Sequence, residues 1–121
     1  MNNFEYISNK FPKAIKTSKL LTQYFDTASI VVSHGLLETD IDKVFSLLVD
    51  DYLRYTIDPD QLAELCEKLY LISEGFPHLK NSRIVSFLLE VADLEIYLRK
   101  DFEKIPKLLD EIVVYSQNSP K

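Results

Sequence analysis

The sequence predicts an all-α fold: a single domain over residues 1–121, packed as an antiparallel bundle of four to five helices. Three observations carry that prediction. The chain has two glycines in 121 residues, whereas β-rich folds need many tight turns at positive φ. Apolar residues recur at spacings of three and four along most of its length. A full set of helix-start signals stands at residues 57–62, with Asp58 as N-cap, Pro59 at the first helical position and Gln61 closing a capping box. Ile57 and Leu62 occupy the two positions of a hydrophobic staple around that cap. A composition of 46% hydrophobic and 27% charged residues suits a packed core at this length and argues against disorder.

Taken in order, residues 1–9 read as a short helix or strap. Residues 11–33 form the first long amphipathic segment, with Phe11, Ala14, Ile15, Ser18, Leu21, Phe25, Ala28 and Val32 as its stripe and Gly35 ending it. The second helix, 40–55, starts at Thr39 with Asp42 at N3, and Ile41, Val44, Phe45, Leu48 and Tyr52, with Leu53 as a further candidate, line one face. The third, 59–74, carries Leu62, Leu65, Leu69 and Ile72, and ends at a C-cap glycine, Gly75, followed by Pro77. Its short connection to the second helix makes the two antiparallel neighbours. Residues 82–99 are apolar around much of the helix and are expected to lie centrally. Pro106 delays the fifth helix to 104–116, and residues 117–121 should fray. The core should draw on Leu21, Phe25, Phe45, Leu48, Leu65, Leu69, Phe87, Leu88, Val91, Leu94, Leu108 and Ile112.

Residues that could carry chemistry are few. His34 and His78 both stand beside helix-ending signals, where a histidine favours the last carbonyls and the helix dipole. No second histidine or cysteine lies at metal-ligand spacing, so no metal or other cofactor is expected. Glu64–Glu67 and Glu90–Asp93 are spaced like carboxylate ligands, but di-iron bundles need Glu-x-x-His and no glutamate here has that partner. Cys66, the single cysteine, cannot form an internal disulfide and reads as a small buried hydrophobe rather than a nucleophile. There is no glycine-rich phosphate loop, no G-x-S-x-G and no H-E-x-x-H. The chain is not expected to be an enzyme. No apolar run approaches the ~20 residues that span a bilayer, and the first residues lack a signal-peptide pattern. A cytoplasmic location is the expectation.

Charge is the one functional pointer. Residues 38–74 hold ten acids against Lys43, Arg54 and Lys68, or −7 in 37 residues, while 1–37 sum to +2 and 75–121 to zero. An acidic block repels nucleic acid and anionic lipid and attracts basic proteins. Asp40, Asp42, Asp58 and Asp60 fall in helix first turns, where acids favour the helix whatever its function. Setting them aside leaves −3. Asp50, Asp51, Glu64 and Glu67 are the candidate partner-binding acids, with Tyr55 and Tyr70 as candidate contact aromatics, because tyrosine adds contact area at low entropic cost.

The stretch from Asp51 to Leu62, with Glu67-Lys68-Leu69-Tyr70 after it, resembles small bacterial immunity proteins of the colicin D type. That resemblance covers about 20 of the 121 residues and rests largely on the capping motif. It implies an acidic helical protein that plugs the basic active site of a toxin nuclease. The expectation is therefore a non-enzymatic binder of a basic protein partner, most concretely an immunity or antitoxin inhibitor, with no direct binding of nucleic acid or membrane. The alternative is a self-assembling structural or adaptor module, a homodimer built on outward apolar residues of 84–98 or 105–114.

Overall fold

A computed structural model describes residues 2–100 and 102–118, apart from the side chains at 15–18, 95, 102, 116 and 118. Among these residues the chain forms seven α-helices and four 3₁₀ turns, with no strand. The all-α prediction holds. The helices are α1 (Asn3–Lys10), α2 (Ser18–Thr27), α3 (Glu38–Leu53), α4 (Pro59–Glu74), α5 (Arg83–Ala92), α6 (Leu94–Lys100) and α7 (Ile105–Asn118).

The expected long helix over 11–33 is instead three pieces. Pro12 pushes Phe11 out of helical backbone, and the chain makes a 3₁₀ turn at Pro12–Thr17 before α2 begins. α2 then stops at Thr27. Ser29 adopts a left-handed conformation (φ 59°), and Ile30 N–H donates to the Phe25 carbonyl at 2.9 Å in a Schellman closure. The β-branched run Ile30-Val31-Val32 is a poor helix continuation, and it turns Ile30 and Val32 into the core instead. The N-terminal residues form a true helix, capped by Asn2, whose Oδ1 accepts from Glu5 N–H at 2.9 Å. Buried Asn3 ties α1 to the end of α2: its Nδ2 donates to Asp26 Oδ1 at 2.8 Å and to the Ile30 carbonyl at 2.7 Å. Its Oδ1 accepts from Val32 N–H at 3.1 Å.

α3 begins two residues earlier than Thr39 and Asp42 suggested. Its N3 residue is Asp40, which accepts from Leu37 N–H at 2.9 Å. Asp42 is free of capping duty and accepts instead from Tyr115 Oη at 2.7 Å, which docks α7 onto α3. α4 starts as expected: Gln61 N–H donates to Asp58 Oδ1 at 2.7 Å and Asp58 N–H to Gln61 Oε1 at 3.0 Å. Gly75 ends α4 for a different reason from the expected one. Its backbone is ordinary (φ −71°, ψ −5°), but a Cβ there would stand 2.1 Å from Phe11 Cε1. The glycine makes room for a ring, and Phe11 and Phe76 stack beside it at 5.7 Å.

The central helix is α4, not 82–99. α4 packs against α2, α3, α5, α6 and the 12–17 turn, and eight of its sixteen residues are buried. The 82–99 segment breaks at Asp93 into α5 and α6, and Leu89 and Ile96 point outward. Every residue of the expected core is buried except Phe87, which is half-buried and stacks edge-on against Phe45 at 5.6 Å. Among the described residues no helix is long and apolar enough to cross a membrane.

Candidate functional site

The site is set by how little of α4 reaches solvent. Because α4 is packed on most sides, its outward positions reduce to Pro59, Asp60, Gln61, Glu64, Glu67, Tyr70, Leu71 and Glu74. Four of these are acids, and none is basic. They run at i, i+4, i+7 and i+14, a narrow acidic seam about 21 Å long at 1.5 Å per residue. The one base of α4, Lys68, is buried beside the seam rather than exposed in it. It is 8% exposed, and its Nζ donates to the Lys13 carbonyl at 3.4 Å, so it offers no i,i+4 partner to Glu64.

The other part of the site is the α3–α4 turn. α3 closes with a second Schellman pattern, in which Thr56 N–H donates to the Asp51 carbonyl at 2.8 Å and Tyr55 N–H to the Tyr52 carbonyl at 3.1 Å. The residue at the left-handed position is Tyr55, with φ 62°. Glycine or asparagine normally stands there, because a Cβ is disfavoured at positive φ. Tyr55 is also 95% exposed. A large aromatic is thus held in a disfavoured backbone conformation and aimed at solvent, with Leu53 exposed beside it.

Two clefts flank this turn. One, of about 320 Å³, is lined by Tyr52, Leu53, Tyr55, Ile57, Asp58 and Pro59. The other, of about 350 Å³, lies between α2 and the turn, with Tyr24, Asp51 and Gln61 among its walls. Asp51 is fixed there by Tyr24, whose hydroxyl donates to Oδ2 at 2.6 Å. Burial, with the Asp51 charge adding to it, pushes the Tyr24 phenol well above its ordinary range. Partial burial and the neighbouring Tyr55 push the Tyr52 phenol up as well.

Asp50, Asp51 and Tyr55 thus lie at the C-terminal end of α3, with Asp51 in the cleft on the α2 side and Tyr55 in the other, while Glu64 and Glu67 lie along the seam of α4. Asp50, Asp51 and Glu64 are half-buried, and Glu67 is exposed. Tyr70 is not part of the Tyr55 cluster. It stands about 17 Å up the helix and lines a separate cleft with Glu74, Pro77 and Lys80. A hydrogen bond to Glu74 raises its phenol. Sequence reasoning missed Asp60 and Glu74 as seam residues, although their helical spacing from Glu64 and Glu67 was readable. It also missed Tyr24, which no local pattern links to Asp51.

The other candidate groups have structural places. Cys66 is fully buried, and burial pushes its thiol well above the ordinary range. His78 is hydrogen-bonded through Nε2 to the carbonyl of Leu36, not to a carbonyl of its own helix end, and His34 is exposed. Among the described residues no group of three His, Cys, Asp or Glu is placed to hold a metal ion. Comparison with known protein families, with characterised proteins and with solved structures finds no match to this chain.

Proposed function

We propose that the protein is a non-enzymatic binder of a basic protein, using the acidic seam of α4 and the tyrosine-tipped α3–α4 turn, and most concretely an immunity or antitoxin inhibitor of a toxin nuclease. The observation that carries this reading is the outward strip of α4, which holds four acids and no base while the helix's only lysine is turned inward. A row of like charges on the most buried helix is unfavourable for the isolated protein and complementary to a cationic surface. Nuclease active sites bind phosphates and so present such a surface. The buried Cys66, with its raised thiol, favours a binding role over a nucleophilic one.

The test is a pull-down from the native host with the tagged full chain, washed at about 0.1 M and about 0.5 M salt, between which the screening length falls roughly twofold. One stoichiometric basic protein, weakened by salt and lost with the Asp50→Lys, Glu64→Lys, Glu67→Lys variant, is the expected result. Asp51 is left intact in that variant because Tyr24 depends on it. Unaltered capture by a folded triple variant would end the proposal.

A second reading, self-assembly, draws on Ile96 and Val114, which are 54% and 52% exposed, together with Leu89 and Val113 on the α5–α7 side. Recovery of only untagged copies of the same chain, with a dimer mass by light scattering, would favour it.

A further inference from the structure

We infer that the cleft formed by Tyr52, Leu53, Tyr55, Ile57 and Asp58 receives one arginine side chain of the basic partner. This rests on the acidic-binder reading and names the group it recognises.

Three features point to that side chain. The first is size: at about 320 Å³, the cleft is at the bottom of the range of small-molecule sites, about 300–1,000 Å³, and suits a side chain better than a cofactor. The second is the chemistry of the walls. Tyr52 and Tyr55 line it together with the aliphatic Leu53 and Ile57, and Asp58 adds a carboxylate-bearing residue to the lining. A cation is attracted to the face of an aromatic ring, and a planar, weakly hydrated guanidinium stacks on such a ring where a compact, strongly hydrated ammonium does not. The methylenes of arginine would cover the aliphatic wall. The third is charge: residues 50–60 hold Asp50, Asp51, Asp58 and Asp60 against Arg54 alone, so a guanidinium entering here meets net negative charge. Asp58 keeps its cap through Oδ1, which accepts from Gln61 N–H, so the cap does not use its second oxygen.

The backbone fits the same role. A tyrosine at φ 62° with 95% exposure is disfavoured both locally and by solvation, and strained residues of this kind cluster at ligand clamps. The same turn thus supplies both tyrosines that line the cleft.

The test titrates the isotopically labelled full chain with three capped tripeptides at millimolar concentration, Gly-Arg-Gly, Gly-Lys-Gly and Gly-citrulline-Gly, followed by amide chemical shifts. Expected are saturable shifts at residues 52–58 with the arginine peptide, at least about fivefold weaker binding of the lysine peptide, and none with citrulline. Tyr55→Phe should keep the response, because the ring remains, and Tyr55→Gly should abolish it. Equal arginine and lysine responses spread over the 60–74 seam would overturn the arginine cleft while leaving the acidic-binder reading standing. No response at residues 52–58 to any peptide overturns the cleft too, and the pull-down then decides the broader reading by itself.

Discussion

Replacing Tyr55 by glycine should make this protein more stable and less able to bind. Tyr55 occupies the left-handed position of the α3 Schellman closure at φ 62°, a conformation that costs an L-residue roughly 1–2 kcal/mol and glycine almost nothing. Its side chain is 95% exposed, so truncation removes almost no buried apolar surface to set against that gain. Glycine loses more chain entropy on folding than other residues, by roughly 0.5–1 kcal/mol. The net expectation is a stabilisation of about 0.5–1 kcal/mol. Urea unfolding followed by far-ultraviolet circular dichroism reads this as a midpoint raised by roughly 0.5 M, given slopes of about 1–3 kcal/mol/M. Tyr55→Ala is the control, since it removes the ring and keeps the Cβ; its midpoint should stay near the parent's. An unchanged or lowered midpoint for Tyr55→Gly would refute the strain argument. Partner capture that survives Tyr55→Gly would remove Tyr55 from the binding surface, whatever the stability result.

Gly75→Ala should destabilise by about 1–3 kcal/mol through overpacking, because its Cβ would meet the Phe11 ring at 2.1 Å. In a Phe11→Ala background the same change should be neutral or stabilising by up to about 1 kcal/mol, since φ −71° suits alanine; equal effects in both backgrounds would show that the ring is not the cause. Asn3→Ala should cost about 2–3 kcal/mol by stranding Val32 N–H and the Ile30 carbonyl, and hydrogen exchange should show residues 30–34 opening first. Alkaline pH supplies a signed test: the Cys66 and Tyr24 groups are both raised in the folded state, so their stabilisation is complete below their ordinary values of 9.0 and 10.0. Above those values the unfolded chain ionises first, and stability should fall by about 1.4 kcal/mol per pH unit for each group. Tyr24→Phe should flatten that fall, and an identical slope would contradict the assignment.

Part of the local chemistry was readable in the sequence, although the start of α3 was misplaced, and long-range chemistry was not. The Asp58–Gln61 capping box formed as its residues require, because a cap is decided within four positions. The apolar stripes placed the core correctly, except that Phe87 sits at its edge against Phe45 and Tyr115. The break before α2 followed from Pro12 and the break after it from the β-branched run behind Ser29, signals that the periodicity of 11–33 masked. Gly75 carried a false reason: its C-cap position was visible, but the Phe11 ring that demands it lies 64 residues away in sequence. The inward turn of Lys68 and the Tyr24–Asp51 bond are of the same kind. No pattern along the chain encodes either, and both bear on the site.

The acids of the middle third can now be sorted by what each does for the fold. Asp40 and Asp58 accept backbone N–H groups at helix starts. Asp60 stands in the first turn of α4, Glu38 in that of α3. Asp42 and Asp51 accept tyrosine hydroxyls, and Glu74 accepts from Tyr70. Asp50, Glu64 and Glu67 remain, with no such hydrogen bond or ion pair among the described residues. Glu64 and Glu67 are moreover like charges at i,i+3, a pairing that destabilises a helix by about 0.2–0.5 kcal/mol, and the lysine at i+4 that would relieve Glu64 is buried elsewhere. Glu64→Gln with Glu67→Gln should therefore raise stability by a few tenths of a kcal/mol and weaken partner capture, with the loss growing as salt is lowered. A loss of stability would mean that these carboxylates serve the fold, and the charge on α4 would then have no claim on a partner. A gain in stability joined to weaker capture would mark them as charges the isolated protein carries at a cost, and that only a cationic surface relieves.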